Sequence, residues 1–381
     1  MKRKILYVSG SRADYGLMRS VLFRINNDRF FELHIAATGM HLIAEFGHSI
    51  DEIRNDGLTC HVVNETYEDD TSASMALFIG KFIEKFVQLV TEIKPDLILL
   101  LGDRGEMLGG AITGAYLGIP VVHIHGGERT ATIDESARHA ITKLAHIHLA
   151  ATRESAERII KMGEDPKNVH IVGAPGLDEI AGTDFLSPSE LSKKYNIDLS
   201  GNLVLVIQHP VTLGGGDAGY QMQQTLDAVT GLNEQAVVIF PNADAGGRAM
   251  IEVIKKYHKC SRIHFFSNIP HRDFLSLLKI SSVIVGNSSS GIIEAPFFHV
   301  PCVNIGTRQL DRERGDTVID SGYDTHEIHE AIRFALTDPD FSKRVKKARS
   351  PYGDGRSGKR IVEILKNLPE KSGLVQKRMM Y

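Results

Sequence analysis

Cysteine is scarce: Cys60, Cys260 and Cys302 are three widely spaced thiols in 381 residues. An odd number at such spacing excludes a disulfide framework and offers no paired-ligand spacing for zinc. They read as buried thiols in a reducing cytosol, which gives a cytoplasmic expectation. Nowhere do about 18 apolar residues run together, so the sequence contains no membrane-spanning helix. The opening MKRKILYVSG is basic and then apolar, but its apolar stretch is shorter than a signal-peptide core and runs straight into a turn, so it reads as a first strand. Charge of one sign is also missing. A formal net charge of -3 supplies no field that would hold a nucleic acid backbone or an anionic membrane, so any phosphate must be bound by a local site. No low-complexity tract appears, and 42% hydrophobic with 24% charged residues is the composition of a soluble globular protein.

What is present is a repeated pattern. Short runs rich in Val, Ile and Leu alternate with amphipathic stretches of helical length, which is how strands buried on both faces of a parallel sheet look. Strands are expected near 4–9, 32–37, 58–63, 96–101, 120–124, 147–151 and 169–172, then near 203–208, 236–240, 262–266, 282–285 and 301–305. Between the two groups, GAPGLDEIAGTDFLSPSELSKKYNIDLSGN has no strand run and reads as a linker with a short helix. The fold class is therefore α/β, with two doubly wound domains at 1–175 and 176–361 and a C-terminal segment, 362–381, packing back on the first. Such halves would face a central cleft lined by the carboxyl ends of both sheets, where open α/β sheets bind ligands. The stretch MALFIGKFIEKFVQLVTEI is apolar enough to suggest a partner helix outside its own domain, hence a homo-oligomer.

The runs stop at loops with chemistry in them. VIVGNSSSGIIEA reads as strand, small-residue loop and helix. Ser288, Ser289, Ser290 and Gly291 would let a phosphate reach backbone N–H groups at a helix N-terminus, with Glu294 one turn further on for a ribose hydroxyl. The plain alternative is an N-cap cluster, since Ser and Asn favour that position anyway. LILLLGDRGE ends in Asp103 and Arg104, a carboxylate at a low-dielectric mouth that could serve as acid or base, or an ordinary surface pair. In VVHIHGGERTATIDESARHAITKLAH, His123 and His125 alternate as along a strand and so would share a face. Thr132 and Glu135 have capping-box spacing, and Asp134 and Arg138 lie four apart on one helix face. A helix-surface ion pair with one packed histidine accounts for the same residues. No second cluster of His, Cys or carboxylates is spaced to complete a metal site. VIQHPVT sets His209 at a strand end, and the glycine-rich TLGGGDAGY after it could order over a ligand.

Taken together, SRADYG at 11–16, GDR at 102–104, HGGE with TIDESARHAITKLAH within 125–146, QHPV at 208–211, PNADAG at 241–246, GNSSSG at 286–291 and GTRQ at 306–309 resemble the hydrolysing UDP-N-acetylglucosamine 2-epimerases of sialic-acid-type pathways. The resemblance implies two Rossmann-like domains of GT-B type, a UDP-sugar substrate, no cofactor and no metal, and a homodimer or homotetramer. By position it implies that Arg12 contacts the nucleotide, Ser288 and Ser289 the diphosphate and Glu294 the ribose. Arg104, Asn242, Ser290, Gly291 and Arg308 are further binding residues on this reading, and Asp103, Asp134, Arg138 and His209 form the catalytic set. His125 stands where relatives can carry a glutamate, which adds it to that set and leaves the assignment of each proton open. The implied chemistry is anti elimination of UDP through a glycal, then addition of water. Relatives acting on an N,N'-diacetylbacillosamine precursor for legionaminic acid, linked to UDP or GDP, share the framework. A GT-B glycosyltransferase would use the same nucleotide site with an acceptor groove, and a nucleotide-sugar sensor would need no acid and base at all.

Overall fold

The structure is a computed structural model describing residues 2–43, 49–67, 71–129, 133–211, 217–241, 246–378 and 380, without the side chains of Ser72, Ile133 and Asp134. It divides into two compact units, one of residues 1–128, 133–181 and 352–381 and one of 129–132 and 182–351.

In the first unit, strands β1 (Arg3–Ser9), β2 (Phe31–Ala37), β3 (Cys60–Val62), β4 (Leu97–Leu101), β5 (Val121–Ile124), β6 (Ile147–Ala150) and β7 (Val169–Ile171) form a parallel sheet in the order β3-β2-β1-β4-β5-β6-β7. That order reverses between β1 and β4, the switch point of a doubly wound sheet, where the loops at the strands' carboxyl ends diverge. The second unit repeats the scheme with β8 (Leu203–Ile207), β9 (Gln235–Ile239), β10 (Ile263–Phe266), β11 (Val283–Gly286), β12 (Cys302–Ile305) and β13 (Val318–Ser321), in the order β10-β9-β8-β11-β12-β13. Its switch point lies between β8 and β11. Both units thus have the expected Rossmann-like class. The central strands are apolar throughout because helices cover both faces: every residue of LILLL in β4 and LVLVI in β8 is buried.

One strand was not expected. β13 has the sequence VIDS, lies at the sheet edge beside β12 and is only half-buried, so it carries no apolar run to announce it. The helix Ser72–Ile93 also departs from its reading. Phe78, Phe82 and Phe86 recur every four residues, stack at 6.1 and 5.0 Å between ring centroids, and sink with Val90 and Ile93 into the core of their own unit. Its apolar face is therefore used at home, and Met75 and Leu77 are the large apolar residues it leaves exposed.

The unit boundaries fall at 181/182 and 351/352 rather than at 175 and 361, for an electrostatic reason. The helix Ser357–Asn367 has Arg356 at its N-cap with no side-chain cap of its own. Asp178, from the helix Gly176–Gly182, supplies the cap by accepting hydrogen bonds from the N–H groups of Ser357 at 2.6 Å and Gly358 at 2.8 Å. Residues 176–181 and 352–361 are thereby bound to the first unit. Ile361, Leu365 and Leu374 join its core, and Arg3 donates to the Leu365 and Leu368 carbonyls.

The chain's end is fastened at a second point. Lys377 Nζ donates to the carbonyls of Lys143 at 2.6 Å and Ala145 at 2.6 Å, satisfying the C-terminal end of the helix Ile133–Leu144, and to Glu164 at 2.6 Å. Glu164 also accepts from Lys143 at 2.6 Å and His148 Nε2 at 3.1 Å. Burial by itself would raise the Glu164 carboxyl, but the hydrogen bonds from His148, Lys143 and Lys377 outweigh it and bring it from 4.5 down to about 2. A depressed carboxyl contributes stability that is complete above the unfolded pKa and fades as pH falls through the folded one. Glu164→Gln should therefore cost about 3 kcal/mol at pH 7, and the gap in thermal midpoint to the wild type should close between pH 4.5 and 2. An equal gap at pH 7 and pH 3 would show that the charge is not what stabilises. Among the described residues no helix is long and apolar enough to cross a membrane.

Candidate functional site

In the first unit the loops after β1, β4 and β5 carry the polar side chains. Directly after β1, Ser11 caps the helix Arg12–Asn26 and Asp14 completes a capping box. The Asp14 carboxylate also accepts from the N–H groups of Gly10 at 3.0 Å and Ser11 at 2.7 Å and from the Tyr7 hydroxyl at 3.2 Å. Burial pushes Asp14 up, against the hydrogen bond from Ser9, to about 6. The aspartate thus builds the loop, while Arg12 stays half-exposed with its Nε 2.9 Å from Glu52.

After β4 the chain turns at Gly102, whose φ of 78° lies in the left-handed region, and presents Asp103 and Arg104. Arg104 is held by Glu106, with Nε 2.8 Å from Oε1, and the attraction of Glu106 raises the guanidinium pKa further. Glu106 is fully buried and accepts from the Tyr67 hydroxyl at 3.3 Å. Only glycine fits opposite: a Cβ on Gly10 would lie 1.7 Å from Glu106 Oε1. Asp103 keeps 23% of its side chain exposed and pairs with Arg138, which is 3% exposed. Arg138 also donates to the Glu128 carbonyl at 2.8 Å. A charged fork fixed at both ends is a rigid support for a carboxylate that still reaches solvent.

His125 does not share a strand face with His123. β5 ends at Ile124, and His125 adopts φ 61°, so its ring turns to Glu128 and hydrogen-bonds through Nδ1. A strand alternation fails once the backbone enters the left-handed region. Asp134 lies in the helix Ile133–Leu144, but its side chain is outside the described residues, as are Thr132 of the expected capping box and Asn242. So is most of the TLGGGDAGY loop.

In the second unit the switch point brings two separate motifs together. β11 pairs with β8 in the register Gly286↔Ile207, and a Cβ on Gly286 would lie 2.1 Å from the Ile207 carbonyl, so only glycine lets the next residues meet. Asn287 then brackets His209, accepting from its N–H at 2.7 Å and donating to its carbonyl at 2.8 Å. Arg308 and Gln309 both donate to the Asn287 carbonyl, at 3.1 Å each. Burial, helped by the Arg308 charge, pushes the His209 imidazole down to about 4, so it is neutral at pH 7.

The serine run differs from expectation in one respect. The helix it opens is a single turn, Ser290–Ile293, followed by a tighter turn at Ala295–Phe298. Pro296 prevents an α-helical continuation, since it has no N–H to donate to the carbonyl four residues back. One turn has little macrodipole, so an anion here would depend on backbone N–H groups and hydroxyls. Ser289 stands at the N-cap without a side-chain capping bond. Glu294 is buried, and burial raises its pKa despite the Ser290 hydrogen bond and the Arg312 charge. Its Oε2 has no hydrogen-bond partner among the described residues, which is costly unless a donor such as a hydroxyl is bound there.

Asp14, Glu106, Glu128 and Asn287 were missed as parts of these arrangements. Each sits within three residues of a residue that was singled out; for Asp14, Glu106 and Glu128 a carboxylate close to a strand-end arginine or histidine was the available signal, whereas Asn287 has no such neighbour in sequence. Among the described residues no three His, Cys, Asp or Glu side chains converge as a metal site.

A family model described as UDP-N-acetylglucosamine 2-epimerase matches residues 24–366. The UDP-N,N'-diacetylbacillosamine 2-epimerase (hydrolyzing) of Legionella pneumophila is 41% identical over 100% of both chains. A UDP-N-acetylglucosamine 2-epimerase of Neisseria meningitidis is 34% identical over 99% of both. Among solved structures, UDP-GlcNAc 2-epimerase from Neisseria meningitidis bound to UDP-GlcNAc superposes with a TM-score of 0.82 at 19% identity, covering 96% of this chain and 100% of that one. The enzyme of Methanocaldococcus jannaschii in complex with UDP-GlcNAc and UDP gives 0.78 at 18% identity over 95% and 99%.

Proposed function

Because the chain belongs to the UDP-N-acetylglucosamine 2-epimerase family, we propose that it is a hydrolysing enzyme that converts a UDP-linked 2-acetamido sugar and water into UDP and the free sugar inverted at C2. The observation that carries this reading is the half-open Asp103 carboxylate held by the buried Arg138 fork. In the elimination a carboxylate removes the C2 proton, the bonding pair forms a C1–C2 double bond, and the C1–O bond breaks with its electrons leaving on UDP. Water then adds at C1 and a proton returns to C2 on the opposite face. Asp103 and Asp134 are the proton-transfer groups on this reading, and His125, bonded to Glu128, is the third candidate. His209, neutral and fixed by Asn287, can accept one proton and then return it. On this reading the diphosphate takes its hydrogen bonds from Ser288 and Ser289, a ribose hydroxyl donates to the unpartnered Glu294 Oε2, and Arg308 adds positive charge.

UDP-N,N'-diacetylbacillosamine is the first substrate to test, because the relative of that name matches at 41% over the whole chain. UDP-N-acetylglucosamine, favoured by the residue motifs, is the second and is supported by the 34% match. Each is incubated alone, and their GDP forms beside them, with products read by mass spectrometry. Release of nucleotide with a C2-inverted free sugar supports the reading; no release without an added acceptor would point to a glycosyltransferase.

The anion site has its own test. Replacing both Ser288 and Ser289 by Ala should weaken UDP binding by about 1–3 kcal/mol, the range for hydrogen bonds to a charged group. Unchanged affinity by calorimetry would move the diphosphate elsewhere.

A further inference from the structure

His123 is absent from the machinery above, yet its surroundings are built for a purpose. It is fully buried on β5, and its Nε2 lies 2.8 Å from the Gly102 carbonyl. A carbonyl oxygen only accepts, so Nε2 carries the proton. The Nδ1 atom lies 3.2 Å from Thr142 Oγ1. Burial, against the pull of the Gly102 hydrogen bond, pushes the imidazole down to about 3, so the ring is neutral and its Nδ1 accepts from the threonine hydroxyl. The contact is closely enclosed: a Cβ on Gly126 would lie 2.9 Å from His123 Nδ1 and 3.1 Å from Thr142 Oγ1.

Two facts give this pair a direction. The Gly102 carbonyl belongs to the peptide that leads into Asp103, at a turn with φ 78°. Thr142 lies four residues after Arg138 in the helix Ile133–Leu144, hence on the same face. One helix face thus holds Asp103 twice: Arg138 by the carboxylate, and Thr142, through His123, by the backbone in front of it.

We propose that His123 and Thr142 are positioning residues for Asp103, with the Thr142 hydroxyl holding in place the imidazole that clamps the Gly102 carbonyl. This rests on Asp103 acting in proton transfer. If the hydroxyl is lost, the buried Nδ1 is left without a donor and the ring is freer to tilt, which loosens its hold on the Gly102 carbonyl. A shift of a few tenths of an ångström at a reacting carboxylate lowers turnover without touching the nucleotide.

The test is a double-mutant cycle between Thr142→Val and Asp103→Asn, with kcat, KM and UDP affinity measured for each. Thr142→Val is expected to lower kcat by about 10-fold with KM and UDP affinity unchanged, and Thr142→Ser to restore it. In the Asp103→Asn background the same change should cost less than about 2-fold, because the group it positions is gone. A 10-fold loss in both backgrounds would overturn the positioning role while leaving Asp103 in place. Full turnover in Asp103→Asn itself would instead remove the catalytic reading on which the role depends. Should Thr142→Val fail to fold, the tautomer still decides: nitrogen-15 spectra of the histidine-labelled wild type must show His123 protonated at Nε2. Protonation at Nδ1 would overturn the clamp.

Discussion

Asp103→Asn is expected to lower turnover by about 10²–10⁴-fold, the range for removing a general acid or base, with UDP affinity unchanged. The substitution keeps the size of the side chain and can still hydrogen-bond Arg138 through its amide oxygen, so the support described above stays occupied. What it removes is the ability to take a proton. The partial exposure of Asp103, 23% of its side chain, makes it accessible to a substrate, whereas Glu106 is sealed behind Arg104 and Tyr67. Glu106→Gln should therefore act through the Arg104 position and be the milder of the two. Turnover of Asp103→Asn within a factor of three of wild type would assign the proton transfer to another group.

Arg138→Met is the second large effect. The guanidinium is 3% exposed and serves two partners, the Asp103 carboxylate and the Glu128 carbonyl. Its loss frees the carboxylate to rotate and leaves without that donor the carbonyl of Glu128, the residue whose side chain holds His125. Misplacement of a catalytic group by about 1 Å costs on the order of 10²-fold, so kcat should fall by that much or more. Arg138→Lys should recover little, because a single ammonium cannot reproduce the fork that binds both partners. Kinetics of the two variants, alongside their thermal midpoints, separates this from simple unfolding: turnover must fall in protein that remains folded at the assay temperature. Equal recovery by lysine would reduce Arg138 to a point charge.

The class of fold was legible because strands buried on both faces cannot hide: LILLL, LVLVI and VIVG stand out in any reading of the chain. β13 escaped because an edge strand needs no apolar run, and VIDS has none. The separate site motifs were legible too, since each ends such a run. Their partnerships were not. That His209 and Asn287 bind each other follows from β8 and β11 being neighbours in the sheet, across 78 residues of sequence. That Arg104 answers to Glu106 was within reach, two residues away, but its burial depends on Gly10 in another loop. His125 shows the limit of periodicity from the other side: one residue past the strand end, a left-handed φ redirects the side chain. Pro296, plain in the sequence, was the overlooked signal that the helix after the serine run is a single turn.

The most direct measurement is the hydrogen at C2. With substrate turned over in heavy water, loss and return of the C2 proton must leave the free sugar carrying one deuterium at C2, whichever acetamido sugar is used, and recovered substrate need carry none unless the elimination reverses. Mass spectrometry with proton NMR of the product reads this in one experiment. Product that is released from UDP but keeps its original hydrogen at C2 would contradict the elimination and leave a plain glycosyl hydrolysis in its place.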